Sequence, residues 1–238
     1  MVRELEDARP FRVPVAVGAL IAVNAIAFVY EMILSGAPAA DGAAVGGFVA
    51  TWGLVPREFL REIADPGATR QIVWFTPISS MFLHGGLIHL LSNLLYLWVF
   101  GAEIEDWLGA PRFLAFYLVC GLAAAGLQIA INPDSYLAMI GASGAISGVL
   151  GAYVVSYPHR RLRLRWPPVP IPAIFFLLAW IVIQVLSGFD YLPAEEGGAA
   201  WWAHTGGFLA GIVLTRSMRA RFSHAHDCAS DRQTPGDV

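Results

Sequence analysis

Six long apolar segments constrain this chain more than any other feature of its sequence. They cover roughly residues 13–34, 81–102, 113–131, 143–157, 169–189 and 200–216. Most of them approach the ~20 residues that a helix needs to cross a bilayer. Backbone polar groups in lipid must find partners within the same segment, so each span has to be helical. The sequence therefore predicts an all-α fold, a polytopic bundle of six transmembrane helices.

Composition supports this fold class. Hydrophobic residues make up 57% of the 238 residues and charged residues 14%, whereas soluble domains average roughly 45–50% and 25%. The first apolar run is too long for the core of a signal peptide, so we interpret it as an uncleaved span. The net charge of −3 argues neither for nor against a nucleic-acid partner.

The distribution of arginine predicts the orientation in the membrane. All 15 basic residues are arginine, and twelve fall on one side of the predicted spans. The other three lie in the long loop 35–80. By the positive-inside rule both termini are cytoplasmic. We predict a cytoplasmic N-terminal segment (1–12), a six-helix domain (13–218) and a polar, disordered cytoplasmic tail (219–238).

The loop 35–80 is too long to be a simple connection. It contains PREFLREI (56–63), a pattern typical of a short helix, which Asp65-Pro66-Gly67 should end. Trp52 and Trp74 flank this pattern, and tryptophan favours the membrane–water interface. We expect the loop to lie on or in the outer leaflet; a small extracytoplasmic cap is the alternative.

Three polar motifs open spans two, four and six. They read HGGLIHLLSN (84–93), GASGAISG (141–148) and WWAHTGGFLAG (201–211). Polar side chains are costly within a membrane, so they mark candidate functional sites. Each motif alone is also explained by interhelical hydrogen bonds, close packing through small residues or a structural histidine.

The predicted topology brings these motifs to one depth. With the N-terminus inside, spans two, four and six all begin at the outer side, and so do His89, Asn93, Ser143 and His204. A helix from Ser143 to Tyr157 is about 22 Å long, against a hydrocarbon core of about 30 Å. If Tyr157 marks the inner boundary, Ser143 lies about 8 Å below the outer one. The preceding stretch must enter the membrane as a loop, which needs a protein or water-filled surrounding.

Ser143 and His204 together suggest nucleophilic catalysis. A serine hydroxyl is a weak nucleophile until a base accepts its proton, and His204 is the candidate base. Spans four and six contain no acidic residue, so the pair would act as a dyad. The Ser143 backbone N–H, at a helix start, could stabilise an oxyanion, with the Asn93 amide and the His89 ring as further donors.

The three motifs, in this order, resemble those of the rhomboid intramembrane serine proteases. EIEDWLGAPRFLAFYLVCG (103–121) is also similar, and the resemblance covers about residues 50–215. It implies a six-helix bundle with a membrane-embedded first loop, Ser143 as nucleophile and His204 as base. Residues implied in the oxyanion hole or in support of the site are Asn93, His89, the Ser143 backbone N–H, His84, Gly141, Ala142 and Gly144.

The chain departs from the family pattern at two places. Many relatives have an aromatic residue four positions after the serine, stacked on the catalytic histidine, where this chain has Ser147. Many also have a Trp-Arg pair in the first loop, where this chain has only the unpaired Trp74 and Arg70.

Other classes fit the sequence less well. It has no HExxH helix for a zinc protease and no pair of intramembrane aspartates. Cys120 and Cys228 suggest neither a disulfide framework nor a zinc site, so we expect no metal and no cofactor. A transporter would need midplane charges and repeat symmetry. The main alternative is a proteolytically inactive rhomboid-like protein that binds membrane helices.

The sequence thus predicts a serine endopeptidase that cleaves transmembrane protein substrates near the outer face of the bilayer. A multi-pass location in a bacterial inner membrane fits this reading. The sequence does not specify the substrate or its route of entry.

Overall fold

The computed structural model describes residues 14–35, 42–69, 71–158, 161–163, 170–173, 177–178, 182 and 201–230. Its α-helices are α1 (Val15–Ser35), α2 (Gly42–Trp52), α3 (Pro56–Ala64), α4 (Thr76–Ser79), α5 (Leu87–Tyr96), α6 (Ala102–Leu108), α7 (Ala110–Ile131), α8 (Ser143–Ser156) and α9 (Trp201–Ser230). Short 3-10 turns span Gln71–Phe75 and Ser80–Phe82, and a π-helical turn spans Leu97–Gly101. The predicted all-α helical fold is confirmed.

One small hairpin interrupts the helical pattern in the described part of the chain. Strand β1 (Arg161–Arg163) pairs antiparallel with β2 (Pro170–Pro172). The predicted fifth span, 169–189, lies mostly outside the described residues, and within it Pro170–Pro172 form β2 instead of a helix. Prolines lack the N–H that a helix needs, so this proline-rich start is extended.

Three helical segments of the described chain are long and apolar enough to cross a membrane. They are Val15–Leu34, Leu87–Leu108 and Ala110–Ile131, while the apolar helix Ser143–Ser156 is shorter. Spans one, three and four were predicted within three residues of these bounds. Large apolar side chains on α1 and α5 remain exposed in the isolated chain, as lipid contact requires: Val23, Ile26, Val29, Ile33, Ile88, Leu91 and Leu95.

Span two begins later than predicted. Residues 81–86 form the end of a 3-10 turn and an irregular segment, so the helix starts at Leu87 and not at residue 81. The consecutive Gly85 and Gly86 disfavour helix at this point because glycine loses the most backbone entropy there. The helix then continues through the π-helical turn as far as Leu108. The chemistry-bearing His84 therefore lies before the helix, while His89 and Asn93 lie on it.

The last helix extends beyond the predicted bundle. α9 runs to Ser230, so the segment 219–230, which we predicted to be disordered from its polarity, continues the helix. Arginine and alanine are good helix formers, and a polar helix needs no burial to leave the membrane. Residues 231–238 lie outside the described chain. The domain boundary at residue 219 stays a prediction.

An acidic residue anchors the first span. The Glu105 carboxylate accepts hydrogen bonds from the backbone N–H groups of Ala16 (2.9 Å) and Val17 (2.7 Å). The first N–H groups of a helix have no partner within the helix, and leaving them unpaired away from water is costly. Glu105 therefore fixes the start of α1 against α6.

Helices α7, α8 and α9 form the centre of the bundle. Buried aromatic and aliphatic side chains from α5 to α8 form the core between these helices, among them Leu97, Phe113, Tyr117, Leu150 and Tyr153. α8 and α9 approach with their backbones close together: a Cβ on Gly207 would collide with the Gly144 carbonyl, and one on Gly211 with the Gly148 carbonyl. This small-residue packing sets the distance between the two helices.

Candidate active site

The fold places Ser143 at the first residue of α8. Gly141, two residues earlier, has φ +118°, a conformation that other residues rarely adopt. Its N–H donates to the Ser80 carbonyl at 2.8 Å, which holds the turn in place. Ser143 and its backbone N–H therefore emerge from a fixed turn at a free helix N-terminus, where N–H groups are available to bind an anion.

His204 meets Ser143 across the α8–α9 contact. Its Nε2 lies 2.6 Å from the Ser143 Oγ. When Nε2 is the unprotonated ring nitrogen, the hydroxyl donates to it, which is the arrangement a general base requires. The close approach at Gly144 and Gly207 makes this distance possible. The start of α9 is further held by the Ala203 N–H, which donates to the Gln128 side chain at 3.2 Å.

His89 lies beside the turn that leads to Ser143. A Cβ built on Gly141 would come within 2.8 Å of the His89 Nε2 and 3.4 Å of the Ser143 Oγ. The His89 ring and the Ser143 hydroxyl therefore both lie close to Gly141. The ring of the buried His84 packs against His89 in a T-shaped contact, with centroids 5.2 Å apart.

Asn93 lies one turn after His89 on α5 and is buried. Its side-chain nitrogen has no hydrogen-bond partner. Buried polar groups are nearly always paired, so an unpaired one needs an explanation. A donor reserved for a charge that forms only during a reaction is one such explanation.

A cavity of about 10 Å³ adjoins the serine. Gly141, Ser143, Gly144 and Ala203 are among its lining residues. This volume is close to the minimum that a single water molecule occupies. The cavity beside the nucleophile is therefore at the lower limit of the space that one water molecule needs, and most of its lining is apolar.

The loop that precedes Ser143 is fastened to the first loop. Leu54 and Met139 form an isolated antiparallel bridge. The Arg57 guanidinium pairs with Asp134 at 3.1 Å and lies 4.8 Å from the centre of the Tyr136 ring. The segment from Asn132 to Ala142 is not helical, as the depth argument predicts.

The short helix in the first loop agrees with the sequence. α3 ends at Ala64, and its buried Glu62 accepts hydrogen bonds from the Thr69 hydroxyl (2.7 Å) and from the N–H groups of Gly67 and Thr69 (2.9 Å each). Because these bonds favour the charged form, they hold the pKa of the Glu62 carboxyl below its usual value, with the Thr69 hydroxyl as the largest cause. Trp74 packs on Phe59, while Arg70 lies outside the described residues.

Sequence reasoning missed a carboxylate close to the site. Glu31 of α1 is buried, and its Oε2 accepts the His84 backbone N–H at 3.2 Å. An acidic residue within an apolar run was itself a signal, since ionisable groups in membranes are rare and functional. Gln128 and the Ser80 carbonyl gave no comparable signal, because their contacts join segments far apart in the sequence.

The described residues contain no cluster of three or more His, Cys, Asp or Glu side chains that could hold a metal ion. The site offers a hydroxyl in contact with an imidazole, a helix N-terminus and, one turn after His89, a buried amide donor. That set fits nucleophilic attack on a carbonyl group.

Comparison with known proteins identifies similar chains. A family model described as "Rhomboid domain" matches residues 71–221. The chain is 33% identical over 139 residues to RHOMBOID-like protein 5 of Arabidopsis thaliana, which covers 58% of this chain and 41% of that protein. It is 32% identical over 140 residues to mitochondrial Rhomboid protein 1 of Saccharomyces cerevisiae (57% and 39%), and 32% identical over 146 residues to Rhomboid protease GluP of Bacillus subtilis (61% and 26%). The chain thus spans less than half the length of these relatives.

Proposed function

This chain belongs to the rhomboid family of integral membrane proteins, and on that premise we propose that it is an intramembrane serine protease that cleaves transmembrane segments near the outer face of the bilayer. One observation carries the proposal: the 2.6 Å contact between the His204 Nε2 and the Ser143 Oγ. Residues 61 apart in sequence meet there, near the starts of two helices. The name of the Bacillus subtilis relative, a rhomboid protease, supports the same activity.

The proposed reaction begins with attack on a peptide carbonyl. His204 accepts the hydroxyl proton as Ser143 Oγ forms a bond to the carbonyl carbon, and then gives that proton to the leaving amine. An acyl-enzyme remains on Ser143. Water from the adjoining cavity, activated by His204, then releases the new carboxyl end of the substrate. The pair acts as a dyad.

The proposed oxyanion hole has three donors. The Ser143 backbone N–H belongs to the turn fixed by Gly141, the Asn93 amide nitrogen has no other partner, and His89 lies beside Gly141. Removing one such donor typically costs about 10²- to 10³-fold in kcat. His84, Gly141, Ala142 and Gly144 support these groups through packing and backbone shape.

We further propose that both termini are cytoplasmic and that the chain resides in a bacterial plasma membrane. The arginine distribution supports this orientation. The substrates would be transmembrane helices that enter from the lipid and unwind next to Ser143. Because they must unwind, segments rich in glycine, alanine or proline are favoured.

Reconstitution into liposomes with a panel of single-span proteins tests the proposal. We expect cuts within or just outside the outer half of the membrane segments, and no cuts by Ser143→Ala. Cuts confined to soluble domains, or cuts that persist in Ser143→Ala, would contradict it. Tight binding of the same helices without any cleavage by the wild-type protein would instead favour an inactive rhomboid-like protein.

A further inference from the structure

We infer that Trp201 is the positioning residue that holds the His204 ring toward Ser143. This inference rests on the proposed function and adds a residue to it. The tryptophan belongs to the same helix as the histidine, one turn nearer the outer end. It supplies the aromatic support that is missing at Ser147.

Ser147 cannot hold the imidazole itself. Its side chain is fully buried, and its hydroxyl donates to the Ser143 carbonyl at 2.6 Å. Its Cβ lies against α9, where a Cβ on Gly207 would come within 3.4 Å. A short side chain already bonded to its own helix has no surface left to pack on a ring.

Trp201 is placed to take this role. It precedes His204 by three residues, so both side chains lie on one face of α9. Their ring centroids are 6.0 Å apart and the ring planes are inclined by 73°, an edge-to-face contact. Aromatic pairs favour this arrangement at about 4.5–7 Å. Both side chains are half-buried, so the contact between the two rings is partly shielded from solvent.

The backbone beneath the tryptophan is itself fixed. The Thr205 hydroxyl donates to the Trp201 carbonyl at 3.5 Å, and the Ala203 N–H is bound by Gln128. The indole is therefore carried by an anchored first turn of the helix. It limits the tilt of the imidazole without touching the reacting atoms.

The consequence is an effect on rate more than on substrate binding. An edge-to-face aromatic pair contributes about 0.5–1.5 kcal/mol. If all of this free energy helps to align the base, its loss corresponds to about a 2- to 12-fold fall in rate. We expect Trp201→Ala and Trp201→Leu to lower kcat by about that factor with little change in KM. Trp201→Phe keeps an aromatic ring and should stay within about twofold of the wild type.

The test uses the purified full chain, a single-span peptide substrate and a fluorophosphonate probe that reacts with activated serine. The control is Trp202→Ala, which removes a neighbouring half-buried tryptophan whose position on α9 is rotated by about 100° from that of Trp201. Thermal unfolding of each variant is recorded in parallel. Trp201→Leu preserves an apolar side chain, so it separates loss of the ring from loss of buried volume.

The inference is supported if Trp201→Leu lowers kcat and the probe labelling rate, Trp201→Phe restores both, and Trp202→Ala leaves both unchanged. It is overturned if Trp201→Leu labels at the wild-type rate, if Trp201→Phe fails to restore the rate, or if Trp202→Ala causes an equal loss. A wild-type protein that labels on Ser143 while Trp201 variants are unaffected would refute this inference alone. Absence of labelling in the wild type would refute the proposed function as well.

Discussion

Replacing Gly141 by alanine tests the geometry of the candidate site most locally. Gly141 has φ +118°, and the new Cβ would lie 2.8 Å from the His89 Nε2. A non-glycine residue in such a strained conformation costs about 1–3 kcal/mol, while the stiffer unfolded chain returns about 0.4–1 kcal/mol. We therefore expect a net loss of about 1–2 kcal/mol in the free energy of unfolding.

The loss of reactivity should be larger than the loss of stability. His89 must move away from the new methyl group, and the turn that carries the Ser143 N–H must adjust with it. If one oxyanion donor is displaced, the labelling rate with a fluorophosphonate probe should fall by about 10²-fold or more. The assay is the second-order labelling rate of purified protein at a temperature well below its unfolding midpoint.

Gly126 provides a matched control for this substitution. It is an exposed residue within α7, and a Cβ built on it meets nothing within 4 Å. Gly126→Ala should leave labelling unchanged and stabilise the helix by up to about 1 kcal/mol. The reasoning fails if Gly141→Ala labels within about twofold of the wild type, or if Gly126→Ala loses as much activity as Gly141→Ala.

Three further predictions follow from other contacts. Asn93→Ala should lower kcat by about 10²- to 10³-fold with KM little changed, measured by steady-state cleavage of a single-span substrate; an unchanged kcat would remove Asn93 from the oxyanion hole. Glu105→Ala leaves the N–H groups of Ala16 and Val17 without their partner, which should cost about 2–6 kcal/mol of unfolding free energy, measured by denaturation in mixed micelles; a loss below about 1 kcal/mol would contradict the anchoring role. Since the pKa of the Glu62 carboxyl is lowered in the folded protein, its stabilisation of the first loop is complete above the unfolded pKa and is lost as the pH falls through the folded pKa. Limited proteolysis should therefore cut the first loop of Glu62→Gln faster than that of the wild type at pH 7, but equally fast in strong acid. Equal cleavage rates at pH 7 would refute this role of Glu62.

Sequence patterns predicted those parts of the fold that depend on local signals. The bounds of α8 were predicted well because Gly141 and a polar loop precede Ser143 and Pro158 follows Tyr157. The start of span two was wrong because the apolar residues 81–83 fill a 3-10 turn, which hydrophobicity cannot distinguish from the start of a helix. The structure extends α9 to Ser230, beyond the predicted end of span six at residue 216, because polarity alone does not exclude a helix.

The residue types of the candidate site were predictable, but their supports were not. Ser143, His204, His89 and Asn93 were identified from motifs and from a shared depth, and the structure brings Ser143 and His204 into contact. Trp201 stood in the motif WWAHTGGFLAG but received no predicted role, because its contact with His204 depends on side-chain orientation.

Two other contacts could be recognised only from the three-dimensional structure. The carboxylate of Glu31 reaches the His84 backbone across 53 residues of sequence, and Glu105 reaches α1 across almost ninety. No local period encodes such contacts. They depend on how whole helices pack against one another. The spacing of apolar residues indicates which helix faces are buried, but it does not show which residues of two helices meet.

Labelling with a fluorophosphonate, followed by mass spectrometry of the modified peptide, tests the central claim most directly. The account predicts one covalent adduct on Ser143 in the wild-type protein and none on Ser147, although both serines lie on α8. It also predicts that Ser143→Ala and His204→Ala each abolish labelling. An adduct that persists in Ser143→Ala, or a folded wild-type protein that forms no adduct, would contradict the assignment of Ser143 and His204 as a catalytic pair.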